Sequence, residues 1–344
     1  MPDIEQDRWD TALNRVARIE RESDLLRRRL FTRRFSYAKR SAWATPAGLN
    51  VLPVDQHHKA PSGHTRARVR AESVLIGKFD VQQEVRLRAF YPDAGLSIRY
   101  QTGGKNNGVI RTVNAYKKVQ PHAPALMPAV HDHGTILDGR GAFLIEETVA
   151  GETATRSQLQ ALIDPLTQQL RAVHHGVGIS DKTASAVLGP HSRGLWNEFV
   201  ELHGVDPIVN KKIQRLFERD DLLEVSITHG DLVNSNILVK GHDFVLVDWE
   251  WASVKPIAFD MAKIIINVSN LEQTLRSMHA GLGGDLGTKT SHYTFREQLA
   301  LALVQTLTFY KRQSVKARKA KRTAALARQT DKRLRALTKL VELD

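Results

Sequence analysis

The sequence predicts an α+β chain of two lobes, a small antiparallel sheet followed by a helical half, with a further helix at each end. Three patterns predict it. Short β-type runs recur between residues 73 and 101, helical periodicity dominates beyond Gly151, and one pair of β-type runs with polar loops, residues 225–251, interrupts the helical half. A length of 344 residues suits a two-lobed unit with appendages better than one compact core.

At the N-terminus, residues 8–32 lack Pro and Gly and carry Ala12, Val16, Ile19, Ser23, Leu26 and Leu30 at alternating spacings of four and three. That is a heptad seam, so we expect an amphipathic helix within residues 1–45. Residues 46–70 read as a linker, because Pro46, Gly48, Pro53 and Pro61 punctuate a stretch without period. The first lobe, residues 71–150, opens with runs at 73–79 and 84–90, where Val85, Leu87 and Ala89 alternate with Arg86 and Arg88. After the turn Pro92-Asp93-Ala94-Gly95 comes a run at 96–101. This is the pattern of an antiparallel meander. A helix over 109–119 and a strand over 142–148 complete the lobe.

The helical lobe, residues 151–310, starts with a helix over 155–174 whose Leu159, Leu162, Ile163, Leu166 and Leu170 share a face. Helices over 195–203 and 209–217 follow, and two long segments lie beyond Phe259. Residues 311–344 repeat the heptad spacing with Ala320, Thr323, Ala327, Thr330, Leu334, Leu337 and Val341. This basic C-terminal helix either pairs with the N-terminal one, pairs with a second chain to give a homodimer, or packs on the globular body.

Composition narrows the chemistry. Apolar residues at 42% and charged residues at 25% are ordinary for a globular protein. The absence of Cys removes disulfides, thiolate metal sites and Cys nucleophiles. No apolar run reaches the roughly 18 residues a membrane span needs, and Met1-Pro2-Asp3-Ile4-Glu5 has no apolar signal core, so a cytoplasmic location is expected. Of the net charge of +13, most sits in residues 311–344, which hold twelve Lys/Arg against three acids. Such a field attracts polyanions, an anionic membrane surface or a phosphorylated glycan among them.

The chemistry concentrates in His229-Gly230-Asp231-Leu232-Val233-Asn234-Ser235-Asn236 and, after the turn at Lys240-Gly241, in Val247-Asp248-Trp249-Glu250. Hairpin geometry would bring the two polar loops to one end. Two carboxylates and a carboxamide would then face one ligand, the set that Mg2+-assisted phosphoryl transfer requires. Oxygen ligands suit Mg2+, so Asn236 and Asp248 are its candidate ligands, completed by the phosphates of ATP. Asp231 is the candidate base for an acceptor hydroxyl. His229 stands beside it as a second candidate, or as a residue that hydrogen-bonds the loop backbone.

His229-Gly230-Asp231 with Asn236, then Val247-Asp248-Trp249-Glu250, then Pro256 and Phe259-Asp260-Met261-Ala262, resembles the aminoglycoside phosphotransferase and choline kinase-like family. The resemblance implies a bilobal protein-kinase-like fold, Asp231 as catalytic base, Asn236 and Asp248 on Mg2+, and a structural Asp260. Phe143-Leu144-Ile145-Glu146-Glu147-Thr148-Val149-Ala150-Gly151 is similar to the family's hinge, where backbone groups near Glu147 and Val149 would hydrogen-bond adenine. The family's third-strand Lys, which holds the ATP phosphates, corresponds to Arg99, with Lys78 and Lys105 as alternatives. Residues 109–119 contain no acid to pair with that cation, and no clear Gly-rich loop is present.

Aminoglycosides are polycations and call for an acidic site, which this basic chain does not advertise. Choline would need aromatics, and these make up only 6%. The expectation is therefore an ATP- and Mg2+-dependent kinase acting on a sugar hydroxyl of a bacterial surface glycan or lipid-linked precursor, such as a lipopolysaccharide core sugar. Its basic terminal helices would rest on the inner face of the membrane, and nucleic acid is not an expected partner. An aminoglycoside or choline-type kinase is one alternative. A kinase-fold pseudoenzyme that binds partners through its terminal helices is the other.

Overall fold

The computed structural model describes all residues except 1–32, 38–39, 46–47, 54–72, 80–84, 92–94, 103–106, 137–140, 150, 242, 284–290, 310–313, 315–322 and 343–344; between 33 and 91 it describes the backbone. The N-terminal heptad, residues 54–70 of the linker and Lys105 lie outside the described residues. Two compact units divide the chain, one of Met1–Asn114 with Pro128–Ala150 and the other of Ala115–Met127 with Gly151–Asp344.

The first unit holds an eight-stranded sheet. Its strands are β1 (Arg33–Tyr37), β2 (Arg40–Thr45), β3 (Gly48–Pro53), β4 (Ser73–Phe79), β5 (Val85–Tyr91), β6 (Leu96–Thr102), β7 (Val130–Ile136) and β8 (Gly141–Glu147), in the order β3-β2-β1-β4-β5-β6-β8-β7. Neighbours run antiparallel, apart from β1 and β4. The predicted meander is β4-β5-β6. Two expectations are corrected. Residues 33–37 and 40–45 are not helical, and residues 48–53 of the expected linker are not irregular, because β1, β2 and β3 occupy them. The physical reason is β propensity: Phe35, Tyr37, Trp43 and Val51 favour a pleated surface.

Helix α1 (Gly108–Val119) follows β6, and the division between the units falls within it. Its start is fixed by Asn107, whose Oδ1 accepts from the Val109 and Ile110 N–H groups while its Nδ2 donates to the Gln101 carbonyl at 2.9 Å. In the second unit, β9 (Glu152–Thr153) precedes α2 (Arg156–Val177). Thr155 and Gln158 form a capping box, and Leu159, Leu162, Ile163, Leu166 and Leu170 are buried along one face. Next come β10 (Ser180–Thr183), α3 (Ala184–Leu188), α4 (Ser192–His203) and α5 (Pro207–Arg219), the last capped by the Asp206 carboxylate.

The remaining elements are β11 (Leu222–Thr228), β12 (Ile237–Lys240), β13 (Asp243–Leu246), β14 (Ser253–Pro256), α6 (Ala258–Ile265), α7 (Leu271–Met278), α8 (Phe295–Thr308) and α9 (Thr323–Glu342). Two small sheets result, β10-β11-β14 and β13-β12-β9. Helix α8 is apolar on nearly every side, from Leu299 to Leu307, and packs against both α6 and α9. Helix α9 therefore takes the third of its expected arrangements and packs on the body. Its buried stripe is Leu326, Thr330, Arg333, Ala336, Leu337, Leu340 and Val341, not the strict heptad seam, because a straight helix turns every 3.6 residues and drifts off a 3.5-residue repeat. That stripe packs against α8 and α5. Among the described residues, no helix is long and apolar enough to cross a membrane.

Near the end of α2 the His174 ring is buried, and burial, reinforced by neighbouring His175, pushes its pKa down to about 4 from 6.5. The folded value is depressed, so the unfolded chain binds the proton first. Stability from the neutral ring is complete above pH 6.5 and is lost as pH falls toward 4. The fall in unfolding free energy between pH 7 and pH 4.5, measured with urea, should therefore shrink by about 2–3 kcal/mol in His174→Leu. An unchanged pH dependence would remove the ring from this role.

Candidate active site

Strand pairing builds the site. Strand β11 pairs with β14 through Thr228↔Ser253, and β12 pairs with β13 through Ile237↔Leu246. Residues 229–236, which leave β11 and enter β12, must therefore run beside residues 247–252, which leave β13 and enter β14. Asn236 O accepts from Val247 N–H at 3.0 Å, locking the two loops together one residue from Asp248. The whole arrangement lies within the second unit.

A buried carboxylate holds the first loop. Asp260, in the first turn of α6 and 1% exposed, accepts the His229 N–H at 2.6 Å through Oδ2 and the Gly230 N–H at 3.0 Å through Oδ1. This is the structural role expected for it. His229 is fully buried, tilted against the Trp249 ring at 4.6 Å between centroids. Its Nε2 meets the Val247 carbonyl at 2.9 Å, so that nitrogen carries the hydrogen, and its Nδ1 accepts from Asp231 N–H at 3.3 Å. Burial holds the ring pKa below its ordinary value against the pull of Asp260, keeping it neutral. Both nitrogens are engaged with the backbone. Of the two roles expected for His229, these contacts fit the one that hydrogen-bonds the loop backbone and not that of a second proton carrier.

Gly230 adopts a positive φ of 79°, and a Cβ there would stand 2.1 Å from the Trp251 carbonyl oxygen and 3.2 Å from Lys255 Nζ. Only glycine lets the two loops approach this closely. Beyond it, Asp231 presents a side chain 42% exposed, with Oδ1 at 2.9 Å from Lys263 Nζ; the same ammonium donates to Gly230 O at 2.7 Å. Asn236 donates its Nδ2 to the Asp231 carbonyl at 2.8 Å, so its Oδ1, approached by the Ser235 hydroxyl at 3.5 Å, is the atom that could hold a metal ion. Asp248 stands in the left-handed region at φ 71°, a conformation Asp tolerates better than most side chains and one that marks functional turns.

Two cations that the sequence reading missed stand next to Asp231. Lys263 lies on α6 and Lys255 on β14, with their Nζ atoms 5.1 and 4.6 Å from the centroid of the Phe259 ring. Burial lowers the Lys255 pKa; Asp260 opposes that shift, and like-charged Lys263 adds to it. The only signal in the sequence was their position within Lys255-Pro256-x-x-Phe259-Asp260-x-x-Lys263, which spacing alone does not associate with Asp231.

In the first unit, Arg99 on β6 is buried, and its Nε pairs with Glu146 Oε1 at 2.6 Å. The cation's missing partner is thus supplied by β8, in place of an acid on α1. Adjacent antiparallel strands place the two side by side, since Ser97 pairs with Glu146 and Arg99 with Leu144. Of the segment expected to meet adenine, the Glu147 N–H is bonded to Ala129 O at 2.8 Å and the Thr148 N–H to Gly95 O at 2.7 Å. Lys78 lies on β4.

A family model described as the phosphotransferase enzyme family matches residues 109–295, more than half of the chain. The chain belongs to that family. As a member, this phosphotransferase carries its family match across α1, β7 and β8 and through both loops of the site. A thermostable mutant of aminoglycoside phosphotransferase APH(4)-Ia, solved with ADP and hygromycin B, is 15% identical with a TM-score of 0.49, covering 76% of this chain and 93% of that one. Macrolide 2'-phosphotransferase MphH from Brachybacterium faecium is 18% identical at a TM-score of 0.43, over 77% of this chain and 94% of that one. Choline kinase LicA from Streptococcus pneumoniae is 12% identical at 0.48, over 73% and 90%. No curated protein sequence matches the phosphotransferase.

Proposed function

We propose that this phosphotransferase moves the γ-phosphoryl group of ATP to an alcohol of a small molecule or glycan. The observation that carries the reading is that Asp231, Asn236 and Asp248 lie on two adjoining loops, joined by the Val247 N–H to Asn236 O bond, with the Asn236 carboxamide bonded to the Asp231 carbonyl. The new bond forms between the acceptor oxygen and phosphorus, ADP leaves, and the hydroxyl proton passes to Oδ2 of Asp231, the oxygen not paired with Lys263. Asn236 and Asp248 fit Mg2+: both offer oxygen, and no group of three or more His, Cys, Asp or Glu among the described residues forms an all-protein cage. When bound, the ion neutralises phosphate charge and orients the phosphoryl group. Arg99, held by Glu146, is the candidate contact to the ATP phosphates, and the Val149 N–H with Glu147 the candidate adenine edge.

For the acceptor, a sugar of a bacterial surface glycan or lipid-linked precursor remains the reading we favour. Trp251, half exposed beside Gly230, offers an apolar face for a sugar ring. The exposed Arg328, Arg335 and Lys339 of α9 supply positive charge toward an anionic surface. Label from γ-labelled ATP should appear on a component of a cell-envelope extract in the presence of Mg2+ and disappear on chelation. No Mg2+-dependent transfer and no Mg2+-dependent ATP turnover would defeat the reading.

A further inference from the structure

The surroundings of Asp231 carry more positive charge than its own carboxylate calls for. Lys263 already satisfies Oδ1. Lys255 contributes a second ammonium, half-buried, with no hydrogen-bond or ion-pair partner among the described residues; its nearest neighbours are the Phe259 ring and the space left by Gly230. Arg333, 8% exposed on α9, lies within the electrostatic reach of Asp231, whose charge opposes the effect of burial on the guanidinium. Removing an ammonium from water is costly unless an anion replaces the lost hydration. Asp260 does not do this directly: its oxygens accept from the His229 and Gly230 N–H groups, and among the described residues no ion pair joins it to Lys255.

We propose that Lys255 is the anchor of an anion subsite beside Asp231, so that the acceptor bears a phosphate or carboxylate in addition to the hydroxyl that is phosphorylated. The proposal rests on the reading of Asp231 as the base. It makes Lys255 a specificity-determining residue, with Lys263 and Arg333 adding to the field. An anionic acceptor would then be steered to the reacting carboxylate, while a polycation would meet two like charges.

The test separates this subsite from the nucleotide's by filling the γ-phosphate position with AMP-PNP and Mg2+. Glycerol, glycerol 3-phosphate and glycerate are then titrated calorimetrically, the last two distinguishing phosphate from carboxylate. At least one anion should bind tenfold or more tightly than glycerol. Lys255→Gln should abolish that preference with AMP-PNP affinity kept within about twofold, and Lys255→Arg should restore it. A thermal midpoint for Lys255→Gln confirms that it is folded. Equal binding of all three probes by the wild type overturns the proposal, as does a Lys255→Gln protein that loses AMP-PNP and keeps anion binding, since the cation would then serve the nucleotide. Loss of turnover in Asp231→Asn is independent of all these outcomes, so the subsite can fail with the phosphotransferase reading intact.

Discussion

Asp231→Asn should lower turnover by about 10²- to 10⁴-fold, the range a positioned general base contributes, while the protein stays folded. The amide matches the carboxylate in shape but cannot take the acceptor's proton. The loop should survive the change, because its anchors lie elsewhere: Asp260 on the His229 and Gly230 N–H groups, and Lys263 on the Gly230 carbonyl at 2.7 Å. The lost ion pair involves a side chain 42% exposed and contributes about 0–1 kcal/mol, so the thermal midpoint should move by no more than a few degrees. Single-turnover measurements with saturating ATP and Mg2+ read the chemical step directly. A variant that transfers phosphate at the wild-type rate would remove Asp231 from the mechanism, and with it the assignment of acceptor and metal sides of the site.

Asp260→Ala should cost about 3–5 kcal/mol, because it strands two buried backbone N–H groups, each worth about 1–3 kcal/mol when left without an acceptor. It also removes the charge that supports the partly desolvated Lys255 ammonium. For a chain of this size the thermal midpoint should fall by about 4–7 °C, and residual turnover should drop at temperatures where the protein is still folded, since the loop that carries Asp231 loses its anchor. Asp260→Asn, which keeps one carbonyl oxygen, should lie between the wild type and Asp260→Ala. A shift of less than about 2 °C for Asp260→Ala would show that the loop is held from elsewhere, with the His229–Val247 bond the next candidate.

These two carboxylates divide the labour that the basic surroundings make possible. Asp260 is buried and acts on the backbone, whereas Asp231 is exposed enough to meet a ligand and is bracketed by cations. The +13 charge of the chain is thus not confined to its C-terminal tail: Lys263, paired with Asp231, and Lys255, beside Gly230, lie on α6 and β14.

The sequence by itself determined the parts that depend on near neighbours. The β-type runs 237–240 and 243–246, with turn residues between them, dictate a hairpin, so it was legible before any coordinates that the loops carrying Asn236 and Asp248 meet at its one end, whereas the pairing of β11 with β14 across that hairpin was not. The helix over 156–177 was legible for the same reason, through its capping box and apolar face. Only the tertiary structure decided which distant groups meet. Glu146 reaches Arg99 from 47 residues away because β8 lies beside β6, Lys263 reaches Asp231 from 32 residues away because α6 starts on the carboxylate that holds the loop, and α9 turns its apolar stripe to α8. Charge pairing and burial have no period in the sequence: they depend on which surfaces packing brings within a few ångströms, and that is fixed by the fold as a whole.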